Sequence, residues 1–177
     1  MAVKVDMKLE GFECYPLWTV LVYYLISFST YAVGLYLFYL LYPVLSLLFL
    51  VYMLYLEFSV YREGCRYCYY YGKRCVAGRG VLVKFLFKKG DSQKFCERTL
   101  SLKDFIPQIL ASLMPMAAGA YLLYKDFSLL IFGLTVWPIV MWVLGNPVIY
   151  GRLACPNCRQ GKICCPACEF FMKKTKK

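Results

Sequence analysis

The sequence contains no histidine, and this absence excludes several kinds of functional site. Bis-histidine haem ligation, histidine proton relays, Cys–His nucleophile pairs and mixed Cys/His zinc sites all need an imidazole. A phosphate-binding loop is also missing, because Gly78-Arg79-Gly80 lacks the Walker spacing. Open catalytic zinc sites generally include histidine, so zinc bound here would be structural. These absences favour a protein that is not an enzyme, without deciding the question.

Charged residues are almost missing from two long segments. Residues 14–60 contain a single one, Glu57, and residues 105–150 contain only Lys125 and Asp126. A helix needs roughly 20 apolar residues to cross the hydrocarbon of a bilayer, so each segment is long enough for two crossings. The Lys125-Asp126 pair marks the turn within the second segment. The sequence therefore predicts an all-α polytopic membrane protein with four transmembrane helices arranged as two hairpins.

Prolines and aromatic residues predict where these helices begin and end. Pro43 is expected to open the second helix after a very tight turn, because proline suits a first helical turn. Pro138 and Pro147 are expected to break the fourth helix, since an internal proline removes a backbone hydrogen bond. Tyrosines inside the helices need polar partners within the bundle. The first, second and fourth helices are predicted over approximately residues 16–40, 43–60 and 127–150.

Basic residues predict the orientation in the membrane. With four crossings, both termini and the central loop lie on one side, and every lysine and arginine except Lys125 falls in those parts. The positive-inside rule makes that side cytoplasmic, facing anionic headgroups. The mixed charges of the first 13 residues do not form a signal peptide, so the N-terminus is expected to be retained. The predicted parts are the N-terminal segment with hairpin 1, a basic cysteine-rich loop, hairpin 2 and a cysteine-rich tail, over residues 1–61, 62–104, 105–150 and 151–177.

Two cysteine clusters follow the apolar segments with similar spacing, and thiolate pairs two residues apart are a usual chelating unit for zinc or iron. The second cluster contains two such pairs and predicts a four-cysteine metal site formed by Cys155, Cys158, Cys165 and Cys168. In general form it resembles the knuckles of zinc-ribbon and rubredoxin-like sites. The neighbouring Cys164 is either surplus or takes the place of Cys165.

The first cluster predicts a second metal site with an inserted excursion. Cys65, Cys68 and Cys75 supply three ligands, and Cys96 is the candidate for the fourth. Alternatively, sulfurs from both clusters form one shared site, which Cys14 could join, although Cys14 alone is better explained as a structural thiol. For the second cluster, the alternatives to a metal site are a redox-labile thiol cluster or disulfides of the kind that hyperthermophiles keep inside the cell.

The loop between the hairpins is expected to have its own structure. Residues 81–87 are rich in β-branched and aromatic side chains and precede a Gly-Asp turn, which predicts a strand or short β-hairpin. The alternative is a basic, aromatic segment lying on anionic headgroups. Glu57 is interpreted as a snorkelling or salt-bridged residue near a helix end, with a functional carboxylate as the alternative.

Together these patterns indicate a membrane protein with cytosolic metal-binding modules, most simply structural zinc, that acts as a scaffold or interaction subunit. Its expected partners are lipid headgroups and another protein or a second copy of the chain. The alternatives are an electron-transfer subunit carrying iron or an iron–sulfur cluster, and a protein that handles soft metal ions. Tyrosines among basic residues at 66–74 could stack on single-stranded nucleic acid, but a lipid-facing basic patch explains them better.

Overall fold

The computed structural model describes residues 11–97, 102–165 and 168. The predicted N-terminal segment and the basic end of the predicted tail lie outside this part of the chain at residues 1–10 and 169–177. The α-helices within the described part are α1 Leu17–Leu41, α2 Pro43–Glu63, α3 Arg79–Leu86, α4 Gln93–Cys96, α5 Leu102–Lys125, α6 Leu129–Val140 and α7 Arg159–Cys164. Two π-helical stretches, Met141–Gly145 and Pro147–Ala154, continue α6.

Four of these helical stretches are long and apolar enough to span a membrane. The candidate spans are Leu17–Leu41, Pro43–Tyr67, Ile106–Lys125 and Leu129–Asn157. Most of their large apolar side chains point away from the protein, as Leu25 does with 71% of its surface exposed. An apolar outer surface on long helices is stable in lipid and not in water. The prediction of an all-α membrane protein with four such helices is confirmed.

The first two helices follow one another with a single residue between them. Tyr42 has an extended backbone, and Pro43 occupies the first turn of α2. A backbone N–H at that position has no intrahelical acceptor, so its absence in proline costs no hydrogen bond. α1 contacts α2, α5 and α6 and so lies at the centre of the bundle. At Gly34 of α1 an added Cβ would lie 2.8 Å from the Phe49 ring of α2 and 3.2 Å from Pro115 of α5. Glycine is needed there for the three helices to approach so closely.

The fourth span differs from the prediction at its prolines. α6 runs through Pro138 without a break and becomes π-helical at Met141, and the π-helical geometry resumes at Pro147. The Asn146 N–H donates to the Met141 carbonyl, the wider spacing of a π-turn. The chain thus accommodates both prolines by widening the helix, since leaving the helix would expose backbone polar groups to lipid.

Two polar side chains of α2 bond to neighbouring helices inside the bundle. The Tyr52 hydroxyl of α2 donates to the Pro107 carbonyl of α5 over 2.9 Å, and Ser46 donates to the Leu35 carbonyl over 3.1 Å. Each bond joins two neighbouring helices. Satisfied polar groups of this kind cost little in hydrocarbon, so they hold the helices in register.

The predicted β-hairpin at residues 81–87 is wrong. This segment belongs to α3, and the described residues contain an isolated bridge between Phe12 and Cys158 but no β-strand. Gly78 precedes α3 with φ +65°, a left-handed conformation that turns the chain into the helix. Val83 is fully buried against the rest of the protein. Tertiary packing of one helix face therefore outweighs the β-propensity of the valines and phenylalanines.

The first turn of α3 packs against the preceding loop so closely that the two backbones are in van der Waals contact. The Gly72 N–H donates to the Gly80 carbonyl over 2.7 Å, and a Cβ on Gly80 would overlap the carbonyl oxygens of Tyr70 and Lys73. Those obstacles are backbone atoms and cannot rotate away. The absence of a side chain at Gly80 is therefore a condition for docking α3 on the loop.

Gly80→Ala is expected to destabilise the protein by about 3 kcal/mol, the upper range for overpacking against atoms that cannot move. The measurement is the midpoint of SDS-induced unfolding in detergent micelles. The control is Gly133→Ala in α6, where a Cβ would have no neighbour within 4 Å. If both variants unfolded at the wild-type midpoint, the close crossing at Gly80 would be wrong.

Candidate metal centre

Three segments that are distant in sequence pack together at one end of the helices. We call this assembly the head and define it as residues 11–16, residues 64–97, and residues 155–165 with Cys168. Tyr15 is 1% exposed and joins all three: its N–H donates to the Arg74 carbonyl over 2.9 Å, and its hydroxyl donates to the carbonyl of Ala154, just before the third segment, over 2.6 Å. The two cysteine clusters therefore belong to one unit.

Tyr70 makes a second junction between the same segments. Its hydroxyl donates to the Phe12 carbonyl over 2.7 Å and accepts from the Arg159 N–H over 3.1 Å. The rings of Tyr15 and Tyr70 lie 5.6 Å apart, and together with Val20 of α1 they form the small apolar centre on which the head packs. The sequence showed tyrosines among basic residues here but did not indicate that one of them is buried.

Polar side chains from α7 extend this junction. The buried Gln160 accepts from the Tyr69 N–H over 2.7 Å, and the Arg159 guanidinium donates to the Tyr69 hydroxyl over 2.9 Å and to the Gly11 carbonyl over 3.1 Å. Lys73 forms an exposed ion pair with Glu13. The second cysteine cluster is thus positioned by bonds to the first loop and to the chain before α1.

The four cysteines predicted to form one metal site are neighbours in the structure. The Cys168 thiol is buried and hydrogen-bonded with the thiols of Cys155, Cys158 and Cys165. Cys155 begins a 3-10 turn directly after the π-helical stretch Pro147–Ala154, and Cys158 immediately precedes α7.

The Cys158 sulfur differs from the other three in the hydrogen bonds that it accepts. Donation from Cys168 lowers the pKa of the Cys158 thiol to about 7, and the Gly161 N–H also donates to that sulfur over 3.4 Å. The same hydrogen bonds, that to Cys155 first, raise the pKa of Cys168. These hydrogen bonds favour the thiolate form of Cys158 over that of Cys168.

Gly161 leaves the space that the group needs. A Cβ on this residue would lie 2.6 Å from the Cys168 sulfur and 3.4 Å from the Cys158 Cβ. Any larger residue would separate the two cysteines. The described residues nevertheless contain no group of three or more cysteine or acidic side chains already arranged as metal ligands. The thiols are gathered as a hydrogen-bonded set, and a tetrahedral arrangement would require them to reorient.

The first cluster is looser. Cys65, Cys68 and Cys75 are half-buried, and burial raises the pKa of the Cys68 thiol to about 12. Cys68 and Cys75 pack against the Tyr15–Tyr70 centre together with Cys158 of the second cluster. The structure thus places the two clusters against one another, and whether they bind separate ions or one shared ion stays a prediction.

Cys96 and Cys164 form a disulfide across the head. It links α4 to α7, and neither sulfur is a thiolate in this state. The prediction that Cys96 completes the first site would require this bond to be reduced. Cys164, which the sequence suggested was either surplus or a substitute for Cys165, is the disulfide partner of Cys96. Cys14 is exposed at the edge of the head.

A polar cluster that the sequence did not reveal fastens the head to the bundle. The Arg79 guanidinium, at the start of α3, forms an ion pair with Glu57 of α2, and the Tyr31 hydroxyl donates to the same carboxylate oxygen over 3.2 Å. Arg79 also lies 5.6 Å from the ring centre of Tyr23, whose hydroxyl is hydrogen-bonded with that of Tyr150. Glu57 is therefore salt-bridged, as one of its two interpretations predicted. In the sequence, the polar cluster was indicated only by an isolated acidic residue, Glu57, near a helix end.

No family model, curated protein or solved structure matches this chain.

Proposed function

We propose that this protein is a membrane-embedded scaffold whose head is held together by a structural zinc ion bound to Cys155, Cys158, Cys165 and Cys168. The observation that carries the proposal is the contact of the buried Cys168 thiol with the other three thiols. A set of four neighbouring cysteines matches the ligand set of tetrahedral structural zinc. Four cysteine ligands leave no open position for a substrate, which favours a structural role over catalysis.

Several features around the four sulfurs support a metal ion there. The Gly161 N–H donates to the Cys158 sulfur, as backbone amides do in the outer shell of thiolate sites. Zinc with four thiolates leaves a net negative charge, and the adjacent Arg159 and Lys162 are cationic. The site does not use Cys96 or Cys164, so it is compatible with either redox state of that pair.

The scaffold role follows from what the zinc would stabilise. The apolar centre of the head is small, consisting of Tyr15, Val20 and Tyr70, and small domains usually need a metal or disulfides to remain folded. Because residues 157–160 bond to Tyr69, Tyr70 and Phe12, zinc held beside them would order the entire head. An ordered head at the membrane surface presents a fixed face to a partner.

Metal content is the first test. Full-length protein purified anaerobically in detergent is expected to be colourless and to contain zinc in a ratio of at least one per chain by elemental analysis. A brown sample with absorption at about 400–500 nm and stoichiometric iron would select the electron-transfer alternative, because four cysteines also bind iron. Protein without a stoichiometric metal would contradict the proposal. Soft-metal transport is disfavoured because all ten cysteines lie at or beyond the head-side ends of the spans.

Orientation is a separate part of the proposal: the distribution of basic residues supports a head on the cytoplasmic side. A membrane-impermeant maleimide is expected to label the exposed Cys14 in inverted vesicles but not in intact cells, as read by mass spectrometry of its peptide. The control is Phe127→Cys at the opposite end of the bundle, where the side chain is 75% exposed, and it should show the reverse pattern. Labelling of Cys14 in intact cells would invert the topology.

A further inference from the structure

Helix α3 lies beside the head-side end of α2. Its first residue, Arg79, is paired with Glu57, and the Phe87 ring just after its end lies 5.1 Å from the Phe58 ring. Glu57 and Phe58 both belong to the candidate span Pro43–Tyr67. Both ends of α3 are therefore attached to α2 at the level of its last turns, where a spanning helix leaves the hydrocarbon.

The two faces of α3 have different surroundings. Val83 is fully buried against the protein. Leu82, Phe85 and Leu86, which share another face at helical spacing, are 46%, 75% and 54% exposed. This apolar face continues the lipid-facing surface of α2, to which the exposed Phe58 belongs. Its position at the end of a span indicates that lipid covers it.

The charges near this face select the kind of lipid. Lys84 is exposed on the opposite side of α3 from Leu82 and Leu86, and Lys88 and Lys89 follow as exposed residues. The chain has no acidic residue between Glu63 and Asp91. A short helix with phenylalanine and leucine on one face and lysines beside them is the composition of a helix lying in a membrane interface.

We propose that α3 is an interfacial helix that lies in the headgroup region of the bilayer spanned by the four long helices. Leu82, Phe85 and Leu86 contact acyl chains, and Lys84, Lys88 and Lys89 hold acidic phospholipid headgroups. The lipid-binding surface is thus built into the loop between the two pairs of spans. This role requires the spans but does not depend on whether the cysteines bind zinc.

The first experiment measures depth with single-tryptophan variants of the full chain in lipid nanodiscs. Trp18, Trp137 and Trp142 are replaced by phenylalanine, and then Phe85→Trp is compared with Lys84→Trp, one position away on a different side of the helix. Bromine on the acyl chains near the headgroups is expected to quench the fluorescence of the Phe85→Trp variant at least twofold more than that of the Lys84→Trp variant. Equal quenching of the two variants, or none in Phe85→Trp, would overturn the proposal.

The second experiment tests the choice of lipid in the wild-type tryptophan background, so it remains decisive if the variants that lack the native tryptophans fail to fold. Spin-labelled phosphatidylglycerol is expected to be enriched around the wild-type protein relative to spin-labelled phosphatidylcholine. Replacing Lys84, Lys88 and Lys89 with glutamine should remove the enrichment, with a loss of up to about fivefold in relative affinity per lysine. Unchanged enrichment in the triple variant would overturn the proposal.

A second copy of the chain is the competing occupant of the apolar face. If copies covered it, quenching of the Phe85→Trp variant by brominated lipid would fall as the protein-to-lipid ratio increased, and only monomeric protein would be quenched. Quenching that is independent of this ratio supports lipid as the occupant, and a dependence on it overturns the proposal.

Discussion

Cys168→Ser is expected to lose one equivalent of zinc per chain and to leave the head unfolded while the helices remain in the membrane. Cys168 is the sulfur that contacts the other three ligands, and it is buried. Apparent binding free energies for structural zinc are about 10–16 kcal/mol in small domains, so its loss exceeds what the small apolar centre of the head can replace. The spans depend on apolar surface and should be unaffected.

Elemental analysis measures the metal, and limited proteolysis of the membrane-inserted protein measures the head. The variant is expected to show rapid cleavage within residues 64–97 and 155–168, where the wild type is protected. Cys14→Ser is the matched control, because Cys14 is exposed and lies outside the thiol group. Full zinc content in Cys168→Ser would contradict the site.

A second variant distinguishes the effect of losing a ligand from the effect of distorting the metal site. Gly161→Ala keeps all four sulfurs but places a Cβ 2.6 Å from the Cys168 sulfur. We expect zinc to bind at least tenfold more weakly, as measured by competition with a chromogenic chelator. Wild-type affinity in this variant would mean that the sulfurs do not meet beside Gly161.

Arg79→Gln is expected to destabilise the protein by about 3 kcal/mol. The side chains of Arg79 and Glu57 are 16% and 26% exposed, and removing one partner of a largely buried pair leaves the other charge uncompensated. The value is at the lower end of the usual range because Glu57 retains its bond from Tyr31 and some access to solvent. SDS-induced unfolding in micelles measures the change.

Two variants test whether the ion pair is the cause. Glu63→Gln removes a carboxylate near the same end of α2, where Glu63 and Arg62 are 51% and 65% exposed, and it should change stability by less than about 0.5 kcal/mol. The double variant Glu57→Gln/Arg79→Gln should recover most of the loss, because no unpaired charge remains. If the double variant were as unstable as the sum of its single variants, the pair would not be coupled.

The local sequence was sufficient to predict the spans because hydrocarbon imposes a simple rule of length and polarity. Residues 14–60 and 105–150 can cross a bilayer only as helices, since every backbone polar group must be paired within the segment. Proline was less predictable. In a water-soluble protein Pro138 would be expected to break the helix. Here the helix continues and becomes π-helical beyond it, because the surrounding lipid offers no hydrogen-bond partner for unpaired backbone groups.

The short segments of the head were harder to predict. Residues 81–87 have the composition of a strand, yet Val83 packs as one face of a helix, and Gly80 is needed for a crossing that only the folded chain contains. Arg79 was one basic residue among many in the loop. It differs from the other basic residues because it pairs with Glu57, which is 22 residues away in sequence and belongs to a different helix. Contacts at such separations leave no local pattern.

The amino-acid sequence by itself determined that the chain has four helices long and apolar enough to span a membrane and that its ten cysteines lie outside the interiors of those helices, because hydropathy and spacing are properties of neighbouring residues. Only the tertiary structure decided which cysteines meet. It gathered Cys168 with the thiols of its own cluster, joined Cys96 to Cys164 and packed both clusters around Tyr15 and Tyr70. Those choices depend on turns and buried hydrogen bonds between distant segments, whose free energy exists only when the entire head is folded.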